Sequence, residues 1–474
     1  SSLPTKGLPP PDLIIQDELH LISGPLGTVA GIYETVIEQL CQRPLPNGKT
    51  QVPKIVASTA TVRQAQRQIR ALFGRADTAI FPPQGPDRHD SFFAKTIPVS
   101  SENPGRLYLG VAGQGRSMKV AFLRASLALL SGCGVLHKAA GGHVADNPAD
   151  PYMTLLAYFN SLRELGGSRR IVEDEITARL LVYWRRKRRE PADGLFESRL
   201  IKRTPLELTS RVETDRIAQA RRELALGFEL ENHTDVALAT NMISVGLDIV
   251  RLGLMVVFGQ PKTTSEYIQA TSRVGRSKDK PGLVVTLLNP HKPRDRSHYE
   301  RFSQYHRTFY RSVESTSVTP FSPRALERAL AGAMVGLCRH MLGEMEPYLA
   351  AGSVQAHHAK LQELVRIFSE RARTHDLELN SVECEELARA VDDRAQALLA
   401  DWCEIAREQA KQGVGLNYQK YEDRVSSGVL LRDFLDPDLK SLPVVNHRFR
   451  ANRSMREVET PVDILVEQSA GGTN

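Results

Sequence analysis

The sequence predicts an α/β protein with parallel sheets, followed by a mainly α-helical C-terminal region. Three observations carry that expectation. A strand-helix-strand unit opens the chain, a second run of short apolar strands alternates with helical stretches, and strand signals fade beyond about residue 291.

In the first unit, residues 13–16 ("LIIQ") and 54–57 ("KIVA") read as short buried strands. Between them, "GPLGTVAGIYETVIEQLC" places Leu26, Val29, Tyr33, Val36, Ile37 and Leu40 on one helical stripe. A strand-helix-strand connection of this length implies two parallel strands. "FPPQGPDRHD" (81–90) interrupts the pattern, and "SGCGVLHKAAGGHVADNPADP" (131–151) reads as a Gly/Ala/Pro-rich loop or linker. "YMTLLAYF" (152–159), "DVALAT" (235–240), "LGLMVVF" (252–258) and "GLVVTLL" (282–288) then read as buried parallel strands. "PRALERALAGAMVGLCRHMLGEM" and "AKLQELVRIFSERA" have helical periodicity. A chain of 474 residues is too long for one core. The expected division is 1–98, 99–290 and 291–474.

Composition narrows the function classes. With 41% hydrophobic and 25% charged residues the chain is an ordinary folded one. No apolar run approaches the roughly 18 residues of a membrane span, and no signal peptide is expected at the N-terminus. The five cysteines are scattered and never form C-x-x-C, which argues against a zinc ribbon or a disulfide framework and suits a reducing cytoplasm. Net charge is +7 but uneven. Residues 361–410 hold 6 Lys/Arg against 12 Asp/Glu, so the remainder carries about +13. A basic body permits a polyanionic partner without specifying one.

The motifs are more specific in combination than singly. Asp17-Glu18-Leu19-His20 ends the first strand, where an α/β sheet places its ligand chemistry. In nucleoside triphosphate hydrolysis one carboxylate holds Mg²⁺ through water and its neighbour orients the attacking water. A helix cap or dipole partner is the competing reading of the acid pair. "STATV" (58–62) follows the next strand, and its hydroxyls can bond the acidic motif or simply shape a turn. "ATNMISVGLDI" (239–249) ends a later strand with Thr240, then Gly246 and Asp248. In "SEYIQATSRVGRS" (265–277), a helix would bring Gln269, Arg273 and Arg276 to one face, where two guanidiniums suit a γ-phosphate.

Taken in this order, these motifs resemble those of superfamily 2 helicases. Asp17 to His20 resembles motif II, Thr59-Ala60-Thr61 motif III, and "LLAYFNSLRE" (155–164) motif IV. Thr240, Gly246 and Asp248 resemble motif V, and Gln269, Arg273 and Arg276 motif VI. Motif VI departs from the usual pattern at Ala270, where a first Arg is common, and at Ser272, where Gly is common. The resemblance implies a partial first RecA-like domain, a complete second one and a helical C-terminal domain. ATP and Mg²⁺ would lie in the cleft between the RecA-like domains, with DNA across their top. It implies catalytic roles for Asp17, Glu18, His20, Arg273 and Arg276, with Asp17 holding Mg²⁺ through water. Gln269, Gly246 and Asp248 would contact ATP, and Thr59 and Thr61 would couple the domains. Thr240, Arg63 and Arg163 would contact nucleic acid. "PPQGPDRHDSFFA", "GRSMKVAFLRASLALL", "AYFNSLRELGGSRRIVEDEI", "ELTSRV" and "TPFSPRALERAL" further resemble the helicase subunit of DISARM anti-phage systems. That subunit works with a companion subunit, a DNA methyltransferase and a phospholipase-D-type nuclease. A related bacterial DNA-repair helicase shares several of these stretches.

A phosphate loop, G-x-x-x-x-G-K-[ST], is not found. "RPLPNGKT" (43–50) ends correctly, but Arg43 replaces the first Gly, two prolines intrude, and the segment follows the acidic strand instead of preceding it. A surface turn is expected there. The phosphate-cradling segment is therefore expected upstream, in the same protein or a split subunit, and the isolated chain is expected to hydrolyse no ATP. "YWRRKRRE" (183–190) offers five consecutive cations, as a phosphate contact or a solvated segment, with Trp184 expected in the core. The histidines show no ligand spacing, so no structural metal is expected. The competing reading of the whole is a non-catalytic module that grips DNA or a partner.

Overall fold

The computed structural model describes residues 9–22, 24–59, 65–83, 90–144, 146–185, 194–209, 214–240, 249–314, 318–376, 378–420, 428–434 and 436–451. The chain forms two compact units, residues 82–314 and residues 1–81 together with 315–474. The boundaries expected at 98 and 290 are therefore not those of the units. The N-terminal segment and the C-terminal helices share one core, and residues 291–314 fold with the central sheet.

In the N-terminal part, β1 (Leu13–Gln16) is followed by α1 (Gly24–Leu40), a short antiparallel hairpin of β2 (Arg43–Pro44) and β3 (Thr50–Gln51), then β4 (Lys54–Ala57) and α2 (Ala65–Phe73). β1 and β4 pair in parallel with Gln16 opposite Ala57. They are not buried as expected. Ile15 is 72% exposed, Leu13 48% and Val56 45%, because among the described residues this sheet has two strands and one of its faces is uncovered. "RPLPNGKT" is the expected surface turn, with Gly48 at φ +74° and the Leu45 and Lys49 backbones joined at 2.7 Å.

The 82–314 unit holds β5 (Leu107–Ala112), α3 (Met118–Ala139), β6 (Leu155–Phe159), α4 (Leu162–Arg170), a π turn over Ile171–Ile176 and α5 (Thr177–Leu180). β7 (Leu206–Leu208), α6 (Thr214–Ala225), β8 (Val236–Ala239), β9 (Leu254–Phe258), α7 (Thr264–Thr271), β10 (Leu283–Leu288), α8 (Pro293–Glu300) and α9 (Phe302–Thr308) complete it. Its six strands are all parallel, in the order β5-β10-β9-β6-β8-β7. β6, β8 and β9 are buried at every position, as unbroken apolar runs in the middle of a parallel sheet should be. The edge strands β5 and β7 were not expected from the sequence; β5 is apolar along its length, yet Leu107, Leu109 and Val111 are exposed. On β5, Gly110 is required by packing, since a Cβ there would meet the Phe302 ring at 2.7 Å.

Helix α3 corrects two expectations. It absorbs residues 131–139, which read as loop, and it is long and apolar enough to cross a membrane by length and composition. The sheet accounts for its apolarity, because Phe122, Leu123, Leu127 and Leu130 form one core with Phe159, Val256 and Phe258. Ser117 caps its start by accepting from the Val120 amide at 3.3 Å.

The remaining helices are α10 (Pro323–Met341), α11 (His358–Leu364), α12 (Ile367–Thr374) and α13 (Ser381–Lys411), with a two-strand ladder of β11 (Leu416–Asn417) and β12 (Gly428–Val429). Asn380 and Glu383 form a reciprocal capping box on α13. Val29, Ile32 and Val36 of α1 join Leu330, Leu337, Leu399 and Trp402 in one core. Ile32 takes the place expected for Ile37, which is 40% exposed.

A charged network edges this core. Arg371 pairs with Glu38 at 2.9 Å, and burial pushes the nearby Glu34 carboxyl up to about 7, opposed by Arg371 and aided by Glu38. A raised carboxyl pKa stabilises the fold below its unfolded value, and that contribution is lost as pH rises through the folded one. The transition of the unit holding α1 is expected to fall in temperature between pH 6 and pH 8. Glu34→Gln should remove that fall and stabilise at pH 8 by roughly 2 kcal/mol. Parallel thermal melts of both proteins at the two pH values check this.

Candidate functional site

β1 and β4 end side by side, and their register continues to Asp17 beside Ser58. The Ser58 amide donates to the Gln16 carbonyl at 2.9 Å, and the Leu19 amide donates to the Ser58 carbonyl at 2.9 Å. The Ser58 hydroxyl donates to Asp17 Oδ1, and the Glu18 amide donates to the same oxygen at 2.8 Å. These two bonds, the hydroxyl first, hold the Asp17 carboxyl below its ordinary range. Asp17 is therefore an ionised, solvent-facing carboxylate at neutral pH, chemistry that fits a hard divalent cation.

Glu18 adopts φ 53°, ψ 44°, a left-handed conformation that a residue with a Cβ rarely takes. Such a conformation costs on the order of 1–2 kcal/mol and collects at functional sites. It starts a short 3-10 turn, Leu19–Leu21, that buries Leu19 and turns His20 back toward the acids. His20 Nε2 lies 3.3 Å from Glu18 Oε2, and His20 Nδ1 lies 3.5 Å from the Thr59 hydroxyl. The structure thus brings together Asp17, Glu18, His20 and Thr59, and adds Ser58. Thr61 and Arg63 lie outside the described residues.

The second group of expected residues lies on the sheet of the 82–314 unit. Thr240 directly follows β8 and is buried, its amide donating to the Leu208 carbonyl at 3.3 Å. Gly246 and Asp248 lie outside the described residues. Thr263 caps α7 through the Glu266 amide at 3.2 Å, and the Glu314 carboxylate accepts from the Thr264 amide at 2.9 Å. Tyr267 anchors the helix by 2.9 Å bonds to Thr286 and His306. Gln269 is buried on α7, its amide group donating to Ser265 Oγ at 3.2 Å.

The expected single helical face for Gln269, Arg273 and Arg276 is corrected. α7 stops at Thr271, and the two arginines sit in the turn beyond it, Arg273 half-buried and Arg276 exposed. Gly275 forces the stop. Its φ is +65°, its amide donates to the Leu252 carbonyl at 2.8 Å, and a Cβ there would lie 2.2 Å from the Gly282 nitrogen. The two guanidiniums are presented by a turn pinned against β10, not by a helix.

Arg163 is exposed in the first turn of α4 and lines an open cavity of about 730 Å³ with Lys119, Arg170, Asp174 and Glu175. Ser161 caps that helix, and Asn160 donates to the Phe258 carbonyl at 3.0 Å, which fixes the end of β6 to the end of β9. Ser58, Glu314 and Asn160 were not singled out from the sequence. Ser58 and Asn160 had a local signal, each as the first residue after a strand, and Glu314 had none.

Residues 168–278 match the family described as helicase conserved C-terminal domain. The chain is 47% identical over 348 residues to the DISARM protein DrmA of Bacillus paralicheniformis, which covers 73% of this chain and 30% of that protein. It therefore spans under a third of that relative's length. It is also 35% identical over 98 residues to a probable ATP-dependent RNA helicase DDX59 of Rattus norvegicus, 21% of this chain and 16% of that one. Among solved structures, it is similar to the DUF1998 helicase MrfA bound to DNA and AMPPNP, with a TM-score of 0.41 and 15% identity. That match covers 68% of this chain and 36% of the other. The chain, with its α/β sheets and helical C-terminal part, resembles a superfamily 2 helicase and in particular the DISARM protein DrmA.

Proposed function

We propose that this chain is the C-terminal portion of an ATP-dependent DNA helicase or translocase in a bacterial anti-phage defence system, acting in the cytoplasm. The observation that carries the reading is the Asp17-Glu18-His20 cluster, locked to Ser58 and Thr59 at the carboxyl ends of two parallel strands. A helix cap needs neither a left-handed Glu nor a histidine held against it.

In this reading β1, α1, β4 and α2 belong to a first RecA-like domain, and the 82–314 unit holds the second. Bound ATP and Mg²⁺ supply the phosphoryl chemistry. Asp17 would hold the ion through water, Glu18 would orient the attacking water, and His20 with Thr59 and Thr61 would pass the state of the site onward. Arg273 and Arg276 would offset the charge that develops on a γ-phosphate, while Gln269, Gly246 and Asp248 would position the nucleotide. Thr240, Arg63 and Arg163 contact the DNA backbone.

The phosphate-cradling loop belongs to residues preceding this stretch in the complete protein, or to a separate polypeptide. The open face of the β1–β4 pair supports this, because parallel strands are normally covered on both faces. So does the match to under a third of DrmA. A companion defence subunit completes the assembly. The test is reconstitution. Adding the upstream segment in trans should restore DNA-stimulated ATP hydrolysis, whereas DNA binding without restored turnover would favour the non-catalytic module.

A further inference from the structure

Helix α3 starts beside the carboxyl ends of the sheet, where Gly113 follows β5, and runs back along it for on the order of 30 Å. Its last turn lies beside residues 147–150, which lead into β6, with Asn147 donating to the His137 carbonyl at 3.0 Å. A second open groove of about 560 Å³ lies there, lined by Val135, Lys138, Ala139, Trp184, Phe196 and Glu197. It is at the opposite end of the sheet from Thr240, Asn160 and Thr263.

The groove is firmly built. Ser131 Oγ donates to the Glu197 carbonyl at 2.6 Å and accepts from the Glu197 amide at 2.9 Å. Ser198 Oγ donates to the Leu181 carbonyl at 2.5 Å, and Tyr183 packs edge-on against Phe196 with ring centres 5.0 Å apart. Adjacent aromatic residues separate on this floor. Tyr183 is buried, whereas Trp184, expected in the core, is 57% exposed. The Arg185 guanidinium lies 5.6 Å from the indole centre, and Lys138 projects at the rim beside Glu197 at 2.7 Å.

An exposed indole on a rigid floor, flanked by cations, is the arrangement that single-stranded nucleic acid uses, with bases stacking on the ring and phosphates meeting the positive charge. We propose that this groove is an auxiliary contact for single-stranded nucleic acid, separate from the carboxyl-end surface that carries Thr240 and Arg163. The surrounding aliphatics Leu136 and Leu200 are also exposed, and an acidic polypeptide is the competing occupant. The Arg185 guanidinium already against the ring favours the polyanion with stacking bases.

The chain has two tryptophans, and Trp402 is fully buried, so Trp184 reports on its own groove. Titration of the whole chain with oligo(dT) at low salt should quench indole emission, with the quench weakening steeply as salt rises. By anisotropy of labelled oligo(dT), Trp184→Leu should bind about ten-fold more weakly and Trp184→Phe within about two-fold of the parent. Both variants should melt as the parent does, since the side chain is largely exposed. Absence of quenching overturns the proposal, as does Trp184→Leu binding as tightly as the parent, or quenching by polyglutamate and not by oligo(dT). The outcome is separable from the proposed motor function, because loss of ATP turnover in a reconstituted protein leaves these Trp184 readouts unchanged.

Discussion

Glu18→Gln in the complete protein is expected to lower DNA-stimulated ATP hydrolysis by about 10²- to 10⁴-fold while leaving nucleotide binding nearly intact. The substitution keeps the shape and removes the carboxylate that would orient the attacking water. It also leaves the left-handed backbone in place, so the turn that seats His20 and Leu19 should persist. His20 loses a partner 3.3 Å away but keeps its approach to Thr59 at 3.5 Å. The check is steady-state turnover beside equilibrium binding of a nucleotide analogue. Turnover within a few-fold of the parent would return the acid pair to the role of a cap.

Arg276→Ala is expected to cost about 10³- to 10⁵-fold in turnover, the scale of a lost arginine finger. The side chain is exposed on the turn fixed by Gly275, so its removal opens no core cavity and melting should not change. Arg276→Lys should restore little, because an ammonium cannot reproduce the planar fork of a guanidinium. Arg273→Ala should behave similarly in turnover. Measured in the reconstituted protein, undiminished turnover in Arg276→Ala would remove this residue from the catalytic group.

How far the sequence foretold these residues follows from what sequence pattern encodes. The middle strands β6, β8, β9 and β10 were legible because burial on both faces leaves an unbroken apolar run. The edge strand β5 was missed although its sequence is apolar throughout, and its Gly110 answers to a ring nearly two hundred residues away in sequence, at Phe302. The acid pair was legible as a residue pattern, but its partner was not. "STATV" offers several hydroxyls, and only the register of β1 on β4 selects Ser58 for Asp17. Motif VI was legible in residue type and misread in shape. The helical period of Gln269, Arg273 and Arg276 holds on paper, while close approach of Gly275 to Gly282 ends the helix first. Glu314 caps α7 from 50 residues away, a contact for which no local pattern exists. The shared core of the N-terminal helix and the C-terminal helices was missed for the same reason, because amphipathic periodicity states that a face is buried and not against what.

We propose that this chain carries half of an ATP-hydrolysing site, the acids and the arginines, with the phosphate loop supplied from elsewhere. The most direct measurement is ATP turnover by the isolated, purified chain with and without single- and double-stranded DNA. The account predicts no turnover above background under any of these conditions, and turnover once the upstream segment is supplied. Clear hydrolysis by the isolated chain, abolished by Glu18→Gln, would contradict it, since the site would then be complete within these 474 residues.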